Sequence, residues 1–430
     1  MKRVLVVGSG GREAAMVFAL CKSPLVSEVF VAPANAGMEA FGTERCAVKC
    51  VEIKAMEFEK LAQFAVANKI DLAIIGADDP LVGGIVDVLQ AQGVACFGPD
   101  KLAAQIEGSK AFAKELMREF NIPTAAYHTF LDAKSAREFL QNANYPQVIK
   151  ADGLALGKGV VVAFCKQEAL AALDELSAKF GEKFVIEEFL EGVEVSVLTL
   201  TDGKCIKPLL SATDHKRVGE GDTGLNTGGM GTVAPSPYFT QEFAKQCQEE
   251  IFEATLKALN ARGIKFKGCI FFGLMLTKNG AKVIEYNCRF GDPETQVVLP
   301  LLESDFFELC EAVANEALSQ KEVRFKQGAA ACVVLCSQGY PQEFERGFEI
   351  ALPRAFDEGE VVFTAGVSKD QNGALVTNGG RVLGAVGLAS ELEGALKKAY
   401  DLAQKIEFKN RYFRRDIGKK ALEFAKTQNC

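Results

Sequence analysis

Glu285-Tyr286-Asn287-Cys288-Arg289-Phe290-Gly291-Asp292-Pro293-Glu294 is the run on which the reading of this 430-residue chain turns. Residues Lys282 to Asn287 read as a strand, and alternate side chains of a strand share a face, so Glu285, Asn287 and Arg289 point one way. Two oxygen donors at that spacing suit a hard cation carrying phosphates, and an arginine beside them suits an anion. A solvated polar edge is the alternative; Val283 and Ile284 weigh against it because they mark a buried strand. The preceding strand, Cys269 to Leu276, contains no acid, so Glu285 and Asn287 are the only metal donors read there.

Upstream lies Lys150-Ala151-Asp152-Gly153-Leu154-Ala155-Leu156-Gly157-Lys158-Gly159-Val160. It has one residue too few for a Walker loop, has Gly159 in place of the Mg²⁺-binding hydroxyl, and sits between two strands. Such a glycine-rich hairpin either folds its amides over phosphates, with Lys150 reaching them, or is an ordinary loop. Val185-Ile186-Glu187-Glu188-Phe189-Leu190 is an apolar strand ending in paired acids, suited to adenine and ribose but equally to a solvent-facing strand end. Asp214-His215-Lys216-Arg217 reads first as a surface charge cluster, and Asn226 opens the run Asn226-Thr227-Gly228-Gly229-Met230-Gly231. At the N-terminus, Lys2 to Gly8 is a β-branched run ending in glycine, followed by Ser9-Gly10-Gly11-Arg12-Glu13 and a helical pattern to Cys21. This strand-turn-helix offers backbone amides to a phosphate unless it is a plain turn. A dinucleotide fingerprint fails, since its third glycine falls at Glu13 and the second strand ends without a ribose-binding acid.

The first hundred residues, with strands Glu28 to Ala32 and Leu72 to Ile75 and helices Glu57 to Asn68 and Leu81 to Gln92, predict a parallel α/β sheet. A helix from Ser109 to Phe120 follows, then short strands joined by glycine-containing turns, which predict an antiparallel or mixed sheet. Helix Glu242 to Asn260 and helix Asp305 to Leu318 belong to this part. The remainder, with strand Ala330 to Cys336 and helix Glu391 to Lys405, reads as a smaller α/β unit.

Composition narrows the function. Hydrophobic residues are 48% and charged ones 24%, which fits a folded globular chain rather than a disordered or fibrous one. A net charge of −7 without a basic run argues against nucleic acid. No apolar run approaches a membrane span, and no signal peptide is read, so no membrane association and a cytoplasmic location are expected. The 13 cysteines lack zinc or redox spacing and the 2 histidines remove most metal and hydrolase constellations. The chemistry must rest on carboxylates, Lys, Arg, Asn and backbone amides.

Taken in order, Val7 to Glu13, Glu107-Gly108-Ser109-Lys110, Lys150 to Val160, Glu187 to Glu194, Asp214 to Arg217, Asn226 to Gly231, Glu285 to Glu294 and Thr377-Asn378-Gly379-Gly380-Arg381-Val382 closely resemble the phosphoribosylamine–glycine ligases of the ATP-grasp superfamily. The resemblance covers essentially the whole chain. It implies an α/β and α+β multidomain fold: an N-terminal parallel α/β domain (1–107), an ATP-grasp domain (108–322) with a small lid at about 123–190, and a C-terminal mixed α/β domain (323–430). It implies an ATP-dependent ligase that joins glycine to 5-phosphoribosylamine through glycyl phosphate, in purine biosynthesis; another ATP-grasp carboxylate-amine ligase and a non-catalytic nucleotide-binding protein are the alternatives.

By the same resemblance Lys110 and Lys150 contact ATP phosphates, and Gly153, Gly157 and Gly159 belong to the flap. Glu187, Glu188, Phe189, Leu190 and Glu194 hold adenine and ribose, and Arg217 and Asn226 line the nucleotide and acyl-phosphate region. Glu285 and Asn287 bind Mg²⁺, with Mn²⁺ as a substitute. Asp214 and Arg289 take the ammonium and carboxylate of glycine and, with Lys150, form the catalytic set. Gly10, Gly11, Asp292 and Pro293 complete the substrate contacts, and a monomer is expected. Ala14 stands where the family commonly has His, and Ala77-Asp78 replaces a usual Pro-Glu.

Overall fold

A computed structural model describes residues 1–155 and 158–428. Its N-terminal sheet is parallel, with strand order Ala47–Cys50, Val26–Ala32, Lys2–Val7, Leu72–Ile75, Cys96–Phe97. Val4 to Val7 are fully buried because the central strand is covered on both faces. The expected parallel α/β unit is therefore present, with two additional edge strands. Ala47–Cys50 is largely exposed, and Cys96–Phe97 is two residues long, so neither carried an apolar pattern. The helix expected over Leu81 to Gln92 is broken. Gly84 takes φ +97°, a left-handed conformation that ends Asp78–Gly83 and starts Ile85–Ala91.

The next sheet is antiparallel, in the order Tyr127–Phe130, Phe184–Glu188, Gln147–Ala151, Val160–Ala163. Two helices that the strand-and-turn reading passed over, Ala133–Asn142 and Lys166–Phe180, pack on it. Their signal was in the chain: Ala136 and Leu140, then Ala169, Leu173 and Leu176, recur at helical spacing and are buried. This unit has a core of its own.

The larger sheet has nine strands. Its path runs Gly280–Asn287, Gly268–Thr277, Val193–Thr201, Ile206–Asp214, Gly231–Ala234, Ala329–Ser337, Arg381–Ala389, Glu360–Thr364, and Arg411–Tyr412 pairs alongside Ala329–Ser337. The C-terminal strands thus continue the central sheet, joined where Gly231–Ala234 pairs with Ala330 to Val333. The helix Leu392–Lys405 covers them. Helix Thr295–Leu301 packs between the N-terminal helix Gly11–Leu20 and strand Ala329–Ser337, so one core joins Met16, Val298, Leu335 and Val386. The helix expected from Glu242 to Asn260 is present with a π-turn at Cys247–Phe252. That expected from Asp305 to Leu318 ends at Ala314, just before Glu316 at φ +58°. Among the described residues no helix is long and apolar enough to cross a membrane.

Candidate active site

A cleft of about 1250 Å³ lies where the two central sheets and the first N-terminal turn meet. One wall is the end of strand Gly280–Asn287. Glu285 Oε1 lies 3.2 Å from Lys216 Nζ, which also pairs with Glu194. The charge of Lys216, aided by Lys150, outweighs burial and holds the Glu285 carboxyl down at about 2. Lys216 is half-buried, and against the resulting desolvation the two carboxylates hold its pKa well above the ordinary value. Arg289 falls beyond the strand's last residue but stays on the same face, because its Nη1 donates to Asn287 Oδ1 at 3.1 Å. Its Nη2 lies 2.9 Å from Glu107 Oε1 and 3.8 Å from Asp78 Oδ2. Glu107 Oε2 accepts the Cys288 N–H at 2.7 Å.

The opposite wall carries two lysines around one carboxylate. Lys150 Nζ is 2.9 Å from Glu187 Oε1 and donates to the Ile284 carbonyl, and Lys114 Nζ is 3.1 Å from Glu187 Oε2. The acids at the end of strand Phe184–Glu188 are therefore not equivalent. Alternation turns Glu187 inward, where it is buried, and Glu188 outward, where it pairs with Lys282 at 3.1 Å. A solvent-facing strand end describes only Glu188. Lys114 was not anticipated; it lies one helical turn from Lys110, the spacing that puts both on one helix face. Burial lowers the Lys114 pKa to about 8 against the pull of Glu187.

The glycine-rich hairpin is rooted in the same place. Lys110 Nζ donates to the Gly153 carbonyl at 2.7 Å, and Asp152 accepts from Ser109 Oγ and the Ala111 N–H. Gly153 and Gly159 line the cleft, as do Phe189 and Leu190. Gly157 lies outside the described residues.

Asp214, at the end of strand Ile206–Asp214, accepts the His215 N–H at 2.7 Å. Burial, with Glu294 nearby, raises its pKa well above its ordinary value. Glu294 is also buried and accepts from Ser196 Oγ at 2.8 Å. Arg217 and Asn226 face each other across a two-stranded hairpin. His215 is not the surface charge its neighbours suggested. Its Nδ1 lies 3.0 Å from the Gly231 carbonyl and its Nε2 accepts the Gly418 N–H at 3.0 Å. Burial lowers its pKa. Arg414, 1% exposed, donates to the Arg217 carbonyl and pairs with Asp222 and Asp416. The sequence reading missed this C-terminal clasp on the hairpin, since Arg414 lies 197 positions from Arg217 and 192 from Asp222.

Gly10, Gly11 and Pro293 are set back from the cleft wall, whereas Asp292 is on it. A Cβ at Gly10 would come 3.3 Å from Asp292 Oδ2, so the first turn packs directly on the decisive run. Asp292 is itself anchored: Arg381 Nη2 lies 3.0 Å from its Oδ2 and Gln296 donates to its Oδ1 at 2.6 Å. Arg12 pairs with Glu13 at 2.6 Å and donates to the Phe290 carbonyl. Among the described residues no cluster of three or more His, Cys, Asp or Glu could hold a metal. An ionised Glu285 and the amide oxygen of Asn287 nevertheless fit Mg²⁺, which takes few protein oxygens and completes its octahedron with phosphate and water.

Three phosphoribosylglycinamide synthetase family models match in order: the N domain over residues 2–107, the ATP-grasp (A) domain over 108–295 and the C domain over 330–420. The phosphoribosylamine–glycine ligase of Clostridium acetobutylicum is 44% identical over 424 residues, covering 97% of this chain and 99% of that protein. The one from Chlorobaculum tepidum is 46% identical over 428 residues, covering 98% and 100%. The crystal structure of the phosphoribosylamine–glycine ligase from Thermotoga maritima superposes with a TM-score of 0.82 at 34% identity, covering 96% of this chain and 100% of that one. With matches along nearly its whole length and a shared fold, the chain belongs to the phosphoribosylglycinamide synthetase family.

Proposed function

We propose that the chain is an ATP-dependent ligase that joins glycine to 5-phosphoribosylamine, giving glycinamide ribonucleotide, ADP and phosphate through glycyl phosphate, in purine biosynthesis. The observation that carries this reading is the meeting, in one cleft, of the Glu285–Asn287–Arg289 face with Lys110, Lys150 and the glycine-rich hairpin. In the reading, Lys110 and Lys150 hold the phosphates, Gly153, Gly157 and Gly159 cover them, and Glu187, Glu188, Phe189, Leu190 and Glu194 form the adenine and ribose pocket. Arg217 and Asn226 border it. Glu285 and Asn287 hold Mg²⁺ or Mn²⁺, which offsets charge on the phosphates when bound.

Glycine lies with its carboxylate on Arg289 and its ammonium on Asp214. A carboxylate oxygen attacks the γ-phosphorus, the bond to the β-bridging oxygen breaks, and ADP leaves. The amine of phosphoribosylamine, its phosphate held near Gly10 and Gly11 with Asp292 and Pro293 behind, then attacks the glycyl carbonyl and expels phosphate. Positioned lysines stabilise the charge that develops on the transferring group. The division into 1–107, 108–322 with a lid at about 123–190, and 323–430, together with a monomeric state and a cytoplasmic location, is part of the same reading.

The experiment is phosphate release from ATP. It should require both glycine and phosphoribosylamine. Release with a different acid or amine would support another ligase of this superfamily, and nucleotide binding without release under any pairing would support a binding protein.

A further inference from the structure

In the run Glu107-Gly108-Ser109-Lys110 the last residue is the lysine proposed to hold ATP phosphates, and the first has no assigned role. Glu107 sits on the short helix Gln105–Gly108 with its side chain 5% exposed. Its two carboxylate oxygens go to two consecutive residues. Oε2 accepts the Cys288 main-chain N–H at 2.7 Å, and Oε1 lies 2.9 Å from Arg289 Nη2. One carboxylate thus fixes both the backbone just past the strand Gly280–Asn287 and the side chain that leaves it. Asn287 Oδ1 holds the other terminal nitrogen, Nη1, at 3.1 Å. The remaining Arg289 donor, Nε–H, is buried and has no hydrogen-bond partner among the described residues.

A guanidinium is a planar fork whose usefulness for a carboxylate depends on its orientation. With Nη1 held by Asn287 and the Phe290 carbonyl and one Nη2 hydrogen by Glu107, the Nε and Nη2 edge is the pair of donors left for a ligand, its nearest acid being Asp78 Oδ2 at 3.8 Å, beyond hydrogen-bond distance. We propose that Glu107 is a positioning residue that orients Arg289 so that this edge receives the carboxylate of glycine. It does not touch the substrate. The inference rests on the assignment of Arg289 to the glycine carboxylate.

A glutamine at 107 keeps size and packing, but its NH₂ would face one of the two N–H donors that Glu107 now accepts. Loss of a charge-assisted bond of this kind corresponds to about tenfold or more in affinity. E107Q should therefore raise the KM for glycine about tenfold or more, leave the KM for ATP within about twofold, and change kcat less than the glycine KM. ATP should still raise its melting temperature as in the unaltered protein. The effects of E107Q and R289K on the glycine KM should be non-additive in the double variant, because Glu107 acts through Arg289.

The failures are separable. R289K with an unchanged glycine KM would remove the assignment of Arg289 on which the inference rests. R289K with a raised glycine KM beside an unaffected E107Q, or additive effects in the double variant, would overturn the role of Glu107 alone. If E107Q does not fold, E107D keeps the charge with a shorter reach and is read in the same assay. A selective rise in glycine KM in E107D supports positioning, and an unchanged glycine KM overturns it.

Discussion

Lys216 Nζ lies 3.2 Å from Glu285 Oε1 and pairs at the same time with Glu194, so one half-buried ammonium bridges the strands Val193–Thr201 and Gly280–Asn287. Sequence spacing alone connects none of the three. The pairing explains how Glu285 stays ionised in the cleft wall, with its carboxyl held at about 2 mainly by Lys216.

Glu285→Gln is expected to lower turnover by about 100-fold, since in the proposed reading it removes a charged Mg²⁺ ligand from a pocket organised around phosphates. The fold should persist, as judged by an unchanged circular dichroism spectrum. Near-normal turnover at ordinary Mg²⁺ would mean that the metal is held elsewhere.

The hairpin from Gly153 to Gly159 is expected to close over nucleotide. Trypsin cleavage after the exposed Lys158 should slow when Mg-ATP is added. An unchanged cleavage rate would argue against a flap.

His215 predicts an acid-side loss of stability. Its Nε2 accepts the Gly418 N–H, which requires the neutral ring, and burial holds its pKa below the ordinary 6.5. The unfolded chain therefore takes up the proton first, and stability should fall as pH drops below 6.5. His215→Gln should flatten the melting temperature between pH 6.5 and 5 relative to the unaltered protein; identical slopes would assign the acid sensitivity to other groups.

Arg414 is buried against Asp222, Asp416 and the Arg217 carbonyl. Arg414→Met leaves Asp416 without its ion partner, while Asp222 keeps Lys420, and should cost about 1–3 kcal/mol, measured by urea unfolding. Because the clasp holds the hairpin that carries Arg217 and Asn226, the KM for ATP should rise as well.

The acyl-phosphate route makes an atom-level prediction. Glycine labelled with ¹⁸O in its carboxylate, converted with ATP and phosphoribosylamine, should pass one labelled oxygen into inorganic phosphate. Phosphate free of label would remove the route, and with it the roles given to Arg289 and Glu285.

The elements with strong local patterns were legible from the chain alone. Val4 to Val7 read as a buried parallel strand, and Glu285, Asn287 and Arg289 read as one face, because strand alternation and apolar runs are local properties. Resemblance along the chain supplied the family and the substrates. Tertiary structure alone decided which charges neutralise one another: Glu187 between Lys114 and Lys150, Lys216 between Glu194 and Glu285, Arg289 on Glu107, and Arg414 on the hairpin. The reason is physical. A buried charge persists only with a partner within a few ångströms, and that partner can stand anywhere in the chain. Glu107 meets Arg289 across 182 positions, where no periodicity reaches; only the packing of helix Gln105–Gly108 against the end of strand Gly280–Asn287 brings them together.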